Sequence, residues 1–166
     1  MAILDAFSLF SGSYASGALT GQTVTGTNTT VNGTNVYDTQ AGLTLNTGGQ
    51  NVDLGKGQEF DVEFDITTAF VGATSVEFQI VNADDNALAT NATTLASTGA
   101  VVLAQLTAGT RISVAVPKAD PRTVRRYVGV RYVIVGTGTA GAVTAGFTTL
   151  ASDLPQPTYK SGFAVL

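Results

Sequence analysis

The sequence predicts an all-β protein, a jelly roll or β-sandwich with extended N- and C-terminal arms. Apolar and polar residues alternate in several short segments, and a period of two is the pattern that a pleated strand imposes. Only 12% of the residues are charged and 19 are glycine, a composition typical of strands joined by tight turns. No segment has the pattern of the repeated crossover helices that a parallel sheet requires, so a parallel sheet is not expected.

The segment from Arg125 to Val135 is the strand around which this prediction is organised. It is rich in β-branched and aromatic residues, which pack well on a pleated surface, and it ends at the glycines that begin with Gly136. One face is apolar and is expected to lie in the core, whereas the other carries a cation. The core face comprises Val128, Val130, Tyr132 and Ile134, and the opposite face comprises Tyr127, Gly129, Arg131, Val133 and Val135.

The other strands follow from the same alternation. The clearest is Glu59 to Ile66, whose apolar residues Phe60, Val62, Phe64 and Ile66 alternate strictly with acids. Ser75 to Val81 repeats the pattern and ends in a turn at residues 82–86, which are typical turn residues. Further strands are predicted at Val101 to Leu106, Arg111 to Val116 and Val143 to Phe147, with a hairpin loop at Gly136 to Gly141.

The chain is expected to form one domain with four parts. Residues 1–16 form an N-terminal arm, residues 17–56 a Thr/Asn/Gly-rich loop or weak strands, residues 57–150 the β-sandwich core, and residues 151–166 a tail kept extended by its prolines. The apolar residues from Ile3 to Tyr14 fit two hypotheses, a terminal segment packed on its own core or an arm that reaches a neighbouring subunit.

Composition argues against several classes of function. The chain has no cysteine and no histidine, which removes thiolate ligands, the commonest metal ligand and the commonest general base. We therefore expect no enzyme activity, no catalytic residue, no cofactor and no metal. The net charge of -4 argues against nucleic-acid binding, and no apolar run approaches the length of a membrane span. The N-terminus also lacks the features of a secretory signal.

Three motifs suggest chemistry, and each has a simpler explanation. Gly136 to Gly141 matches G-x-G-x-x-G, but a strand-like segment follows where the dinucleotide fingerprint needs a helix. Asp61, Glu63 and Asp65 share one strand face at a spacing that overlaps that of inverting glycosidases, but they do not flank a cleft with aromatic platforms. Calcium at Asp84, Asp85 or Asn86 would use suitable oxygen ligands, but their spacing matches no known loop.

The charges are segregated along the chain. Acids dominate from Asp53 to Asp85, whereas arginine and lysine dominate from Arg111 to Arg131. The two sets either pair across neighbouring strands within one chain or form complementary patches between subunits. Sequence alone leaves both hypotheses open.

Several segments resemble the cement, or decoration, proteins of short-tailed bacteriophages, the type known from a Bordetella phage. The resemblance covers most of the chain from Phe60 onward and is echoed at Met1 to Phe10. The segments that carry it are Thr93 to Ala100, Leu106 to Arg111, Arg126 to Val128, Arg131-Tyr132 and Gly141 to Gly146. It implies a jelly-roll subunit on the outer surface of an icosahedral shell, made in the bacterial cytoplasm, which oligomerises and clamps adjacent major capsid proteins.

We therefore predict a non-enzymatic capsid cement protein that binds the major capsid protein and itself, with a homodimer favoured over a homotrimer. A receptor-binding or carbohydrate-binding β-sandwich of a phage tail or fibre is the alternative. Contacts are expected in apolar segments outside the regular strands and among the arginines. The predicted partner-binding residues are Ile3, Leu4, Phe7, Leu9, Phe10, Arg122, Arg125, Arg126, Tyr159 and Phe163.

Overall fold

The computed structural model describes residues 9–38, 60–116 and 125–148. Within these residues the regular structure is β-sheet, apart from one short 3-10 turn at Leu103–Gln105, which confirms the predicted fold class. The strands are β1 Leu9–Ser11, β2 Ser13–Ala15, β3 Ala18–Thr20, β4 Gln22–Thr23, β5 Gly26–Asn32, β6 Tyr37–Asp38, β7 Phe60–Ala83, β8 Thr93–Val102, β9 Arg111–Val116 and β10 Tyr127–Thr148.

The long strands β7 and β10 pair with each other in antiparallel fashion over their whole length, from Tyr127 opposite Ala83 to Thr148 opposite Asp61. Each had been predicted as two strands separated by a loop, and the predicted hairpin loop at Gly136 to Gly141 is wrong. Pairing continues through this segment because the register shifts several times between Val135 and Val143. Irregularities of this kind bend a strand and increase its twist without ending it.

The paired strands fold back on themselves. Phe64 and Phe78 lie on the same strand, and a straight strand at ~3.3 Å per residue would separate them by roughly 46 Å. Their ring centroids are 5.2 Å apart. The two halves of the ribbon therefore face each other as the two layers of a sandwich, with the bend at residues 67–75 of β7 and 135–143 of β10.

Shorter strands complete each layer. One layer has β8 beside β7, and β5 and β6 beside β10. The other has β9 beside β7, and β1 and β4 beside β10. Strands β2 and β3 pair only with each other and form a separate hairpin. The strand at Thr93–Val102 was missed because its polar and small residues lack a clear alternation, and the strand predicted at Val101 to Leu106 is wrong beyond Val102.

The core lies between the layers and contains the residues that alternation predicted. Val128, Val130, Tyr132 and Ile134 are all buried. Also buried are the alternating apolar residues of β7 on both sides of the bend, namely Val62, Phe64, Ile66, Val76, Phe78 and Ile80. The rings of Phe64, Phe70, Phe78 and Tyr132 pack together at angles of 59° to 89°. Such tilted and edge-to-face contacts add about 0.5–1.5 kcal/mol per pair beyond area burial. Burial also raises the pKa of the Tyr132 hydroxyl.

Candidate interaction surfaces

The end of the sandwich opposite the bend, here called the open end, brings together residues from both layers. The rings of Tyr37, beside β10 in one layer, and Phe147, in the other layer, are 5.9 Å apart. The Asn35 side-chain amide donates to the Leu9 carbonyl at 3.1 Å. The strand ends that meet at this open end are those of β1, β6, β7, β9 and β10.

Two arginines at the open end form ion pairs within the chain. The Arg126 guanidinium donates to both carboxylate oxygens of Asp38 at 2.9 and 2.8 Å, and it also lies 5.0 Å from the Tyr127 ring centroid. The Asp38 carboxylate raises the pKa of Arg126. Arg125 pairs with Asp84 at 2.8 Å.

A third arginine pairs across neighbouring strands of the other layer. Arg111 on β9 lies 3.8 Å from both Glu63 and Asp65 on β7. Of the two hypotheses for the segregated charges, the structure supports pairing within one chain for these three arginines. Glu63 and Asp65 are two of the three carboxylates whose spacing suggested a glycosidase. Arg111 is a structural partner for both.

The loop between β7 and β8 folds over the outer face of its own layer. Leu88 at its centre is buried against Val81 and Ala83, with Tyr127 beside them. Arg131 on β10 holds this loop, because its guanidinium donates to the Leu88 carbonyl and to the Asn32 side chain. A second small core therefore lies outside the main one. Sequence reasoning missed it because a single leucine among polar residues shows no period.

Asp84 and Asp85, which suggested a calcium site, accept hydrogen bonds within this loop. Asp85 accepts from the Ala89 and Thr90 amides at 3.1 and 2.6 Å, and Asp84 accepts from the Asn91 side chain at 2.7 Å. In the described part of the chain, no group of three or more acidic side chains is arranged to hold a metal ion. These carboxylates therefore act as hydrogen-bond acceptors for the loop.

The loop should make stability fall in acid. The bond from Asn91, followed by that from Arg125, lowers the pKa of Asp84, and bonds from Thr90 and Ala89 lower the pKa of Asp85. A carboxyl whose pKa is lower in the folded state stabilises the fold above its unfolded pKa, about 3.9 for Asp. That contribution is lost as pH falls through the folded pKa. We expect the thermal unfolding midpoint to change little between pH 7 and 5 and to drop below about pH 4.

Asp85→Asn tests the origin of this drop. The variant should unfold at a lower temperature than the wild type at pH 7, because an amide replaces the ionised acceptor. The difference should be smaller at about pH 2.5, because the contribution of an ionised Asp is lost as pH falls below its unfolded pKa of about 3.9 and through the lower folded pKa. Unfolding curves followed by circular dichroism at both pH values measure it. A difference that is the same at both values would show that Asp85 acts by packing alone.

The predicted partner-binding residues divide into three groups. Leu9 and Phe10 are buried in the chain's own core, with Phe10 4.6 Å from the Phe147 ring, so their assignment to a partner is corrected. Their apolar character reflects burial beside β10, as one of the two N-terminal hypotheses expected. Arg125 and Arg126 lie at the open end. The remaining residues, Ile3, Leu4, Phe7, Arg122, Tyr159 and Phe163, lie outside the described residues.

The structure also places apolar side chains on the surface at positions that sequence reasoning did not select. Tyr14 and Leu19 are 51% and 39% exposed on the β2–β3 hairpin. Val102 and Val135 are 53% and 47% exposed and flank Ser75 in one row across β8, β7 and β10. The Ser16-Gly17 pair between short apolar segments was a hairpin signal that could have revealed the first of these surfaces.

Comparison with known proteins gives one family. The sequence model of the Bbp16 family matches residues 18–147, which include every described strand from β3 to β9 and nearly all of β10. The family name suggests a Bordetella phage protein. No curated protein matches the chain.

In the part of the chain that the structure describes, no helix has the length and apolar character needed to span a membrane.

Proposed function

The chain belongs to the Bbp16 family, and from this premise we propose that it is a bacteriophage capsid cement protein. It binds the outer surface of the assembled shell and joins adjacent major capsid proteins. Its own oligomer, a homodimer in the favoured form, lets one complex bind several shell subunits. A family name that suggests a Bordetella phage protein and an all-β fold are compatible with this role.

The observation that carries the proposal is the match of the Bbp16 family model over residues 18–147, whose name suggests a phage protein. A cement protein must stay folded while it contacts more than one subunit. Here the two layers share one core of buried aromatic and aliphatic residues, which supports such a role. Contacts made by several segments of one body reinforce each other, because binding by the first raises the effective concentration of the next.

The proposed contacts combine apolar anchors with the paired charges. Ile3, Leu4 and Phe7 precede β1, whereas Tyr159 and Phe163 follow β10, so the adjoining segments supply the apolar side chains. Arg122 belongs to the segment before Arg125. The Arg125 and Arg126 pairs hold the chain where these segments join the body. We assign Leu9 and Phe10 to the fold and not to the shell.

Deletion variants that keep every described core residue test the assignment. One variant lacks residues 2–8 and so keeps Leu9 and Phe10, and a second lacks residues 149–166. Each deletion should weaken binding to empty shells of the parent phage by about tenfold or more, because multivalent binding is lost when one contact is removed. Co-sedimentation measures binding, and circular dichroism checks that the unfolding midpoint is unchanged. Val102→Ser, an exposed change on the outer sheet face, is the control.

Two results would overturn the proposal. The first is that the full-length protein does not co-sediment with the shells. The second is that purified particles of the parent phage lack it. If the full-length protein and both deletion variants bind equally well, the shell contact lies on the described body and the assignment to the adjoining segments is wrong.

A further inference from the structure

The β2–β3 hairpin differs from every other pair of strands in the described chain, because neither of its strands joins the main sheet. Its six strand residues are all exposed. Tyr14 lies directly opposite Leu19, so the two largest apolar side chains of the hairpin form a cross-strand pair. The hairpin is inserted between β1 and β4, which both pair with the same edge of β10.

The base of the hairpin is fixed to the sandwich by a hydrogen-bonded network around Gln22. The Ser11 hydroxyl and the Thr34 amide donate to Gln22 Oε1 at 2.6 and 2.9 Å. The Gln22 amide in turn donates to the Asn32 carbonyl at 2.7 Å. These bonds join the residues on both sides of the hairpin to the loop that follows β5. The hairpin therefore projects from a rigid base.

The turn of the hairpin is also well defined. Ser16 and Gly17 both have positive φ, at 52° and 78°, which is the backbone conformation of the two-residue turns that match the twist of paired strands. A hairpin of two strands is only marginally stable in water by itself. Tyr14 and Leu19 stabilise the hairpin as a cross-strand pair, yet they remain 51% and 39% exposed, so a partner that covers them would bury further apolar surface.

The charge pattern identifies the chemistry of the surface that the hairpin fits. From Leu9 to Tyr37 the chain carries no charged residue, whereas the open end and the outer faces carry ion pairs. A charged partner surface would lose water here and find no opposite charge, which is unfavourable. An uncharged, apolar recess would avoid this cost of removing water from unpaired charges, and it would bury the Tyr14–Leu19 pair. Tyrosine is among the residues that most often dominate binding energy at interfaces.

We propose that the β2–β3 hairpin is a docking element that inserts Tyr14 and Leu19 into an uncharged, apolar recess of the shell protein. This inference rests on the proposed cement function and adds a contact to it. The contact belongs to the rigid described body and is separate from the segments that leave the open end. Docking would also stabilise the short hairpin itself, because one strand pair gains a packed face.

The experiment compares variants of the full-length protein for binding to empty shells of the parent phage. Tyr14→Ser with Leu19→Ser removes the apolar pair and keeps the hairpin uncharged. We expect binding to weaken by at least about tenfold, as is usual when a central interface anchor is removed. The unfolding midpoint should stay unchanged, because both side chains are exposed. Val102→Ser changes an equally exposed residue on another surface and should bind like the wild type.

Two turn variants separate the shape of the hairpin from its composition. Gly17→Val keeps Tyr14 and Leu19 but places a β-branched side chain at a positive φ, a strained conformation, although nothing lies within 4 Å of the new Cβ. It should weaken shell binding. Ser16→Asn creates the Asn-Gly pair that most favours this turn, and it should bind at least as tightly as the wild type.

The outcomes distinguish this inference from the proposed function. If the wild type does not bind shells, the proposed function fails first. If the wild type binds and the Tyr14→Ser, Leu19→Ser variant binds equally well, the hairpin inference alone is wrong. It is also wrong if that variant loses its oligomeric state in light scattering and binds shells weakly for that reason, because the hairpin would then contact a second copy of the chain.

Discussion

Replacing Gly72 with alanine should lower the free energy of unfolding by about 3 kcal/mol. Gly72 lies in the bend of β7 with φ +82°, and a Cβ there would overlap the Thr137 backbone carbonyl on β10. The left-handed conformation costs about 1–2 kcal/mol for a residue with a Cβ, and forcing the two strands apart adds about 1–3 kcal/mol. Urea denaturation followed by circular dichroism measures the loss.

Gly99→Ala is the matched control for this prediction. Gly99 also has a positive φ, at +67°, but nothing lies within 4 Å of the position of its Cβ. It should therefore lose only the conformational part, about 1–2 kcal/mol. Equal losses in the two variants would mean that the strands at the bend separate easily and that their close approach does not hold the layers together.

Truncating Phe78 to alanine should destabilise the protein by about 3–5 kcal/mol, the usual cost for a buried phenylalanine. Phe78 is fully buried, and its ring contacts Phe64, Phe70 and Tyr132. Phe70 lies in the bend of the same strand, and Phe64 lies beyond the bend in the other layer. The Phe78 ring therefore joins the two layers. The loss is a large part of the 5–15 kcal/mol by which a folded domain is typically stable.

The same denaturation measurement tests this variant against Val135→Ala. Val135 is 47% exposed on β10, and a surface truncation of this kind usually changes stability by less than about 0.5 kcal/mol. A Phe78→Ala variant that loses less than about 1.5 kcal/mol would indicate that the core repacks around the missing ring. The aromatic cluster would then not be the main contact between the layers.

The faces of the strands could be predicted from sequence, but their continuity could not. Alternation identifies which side of a strand is buried, so Val62, Phe64, Val76 and Ile80 were assigned correctly. Glycine and polar residues, however, indicate a turn and a bulge equally well from local sequence. The segment Gly136 to Gly141 stays in the sheet because β7 lies beside it, and this contact comes from residues more than 60 positions away.

The candidate surfaces were predicted only in part for a related reason. Arg125 and Arg126 were identified by their charge, but their partners Asp84 and Asp38 are distant in sequence. Leu9 and Phe10 were assigned to a partner because an apolar terminal segment fits a core and an interface equally well. Tyr14 and Leu19 belong to the same short run, and only the hairpin geometry shows that their side chains are exposed.

The folded ribbon of β7 and β10 also determines how the protein acquires its structure. Because each long strand runs through both layers, neither layer can form as an independent unit, and folding and unfolding should be a single cooperative event. Pairing of Asp61 with Thr148 requires a long loop to close before any of its contacts is gained. Topologies of this kind reach the native state slowly, in milliseconds to seconds.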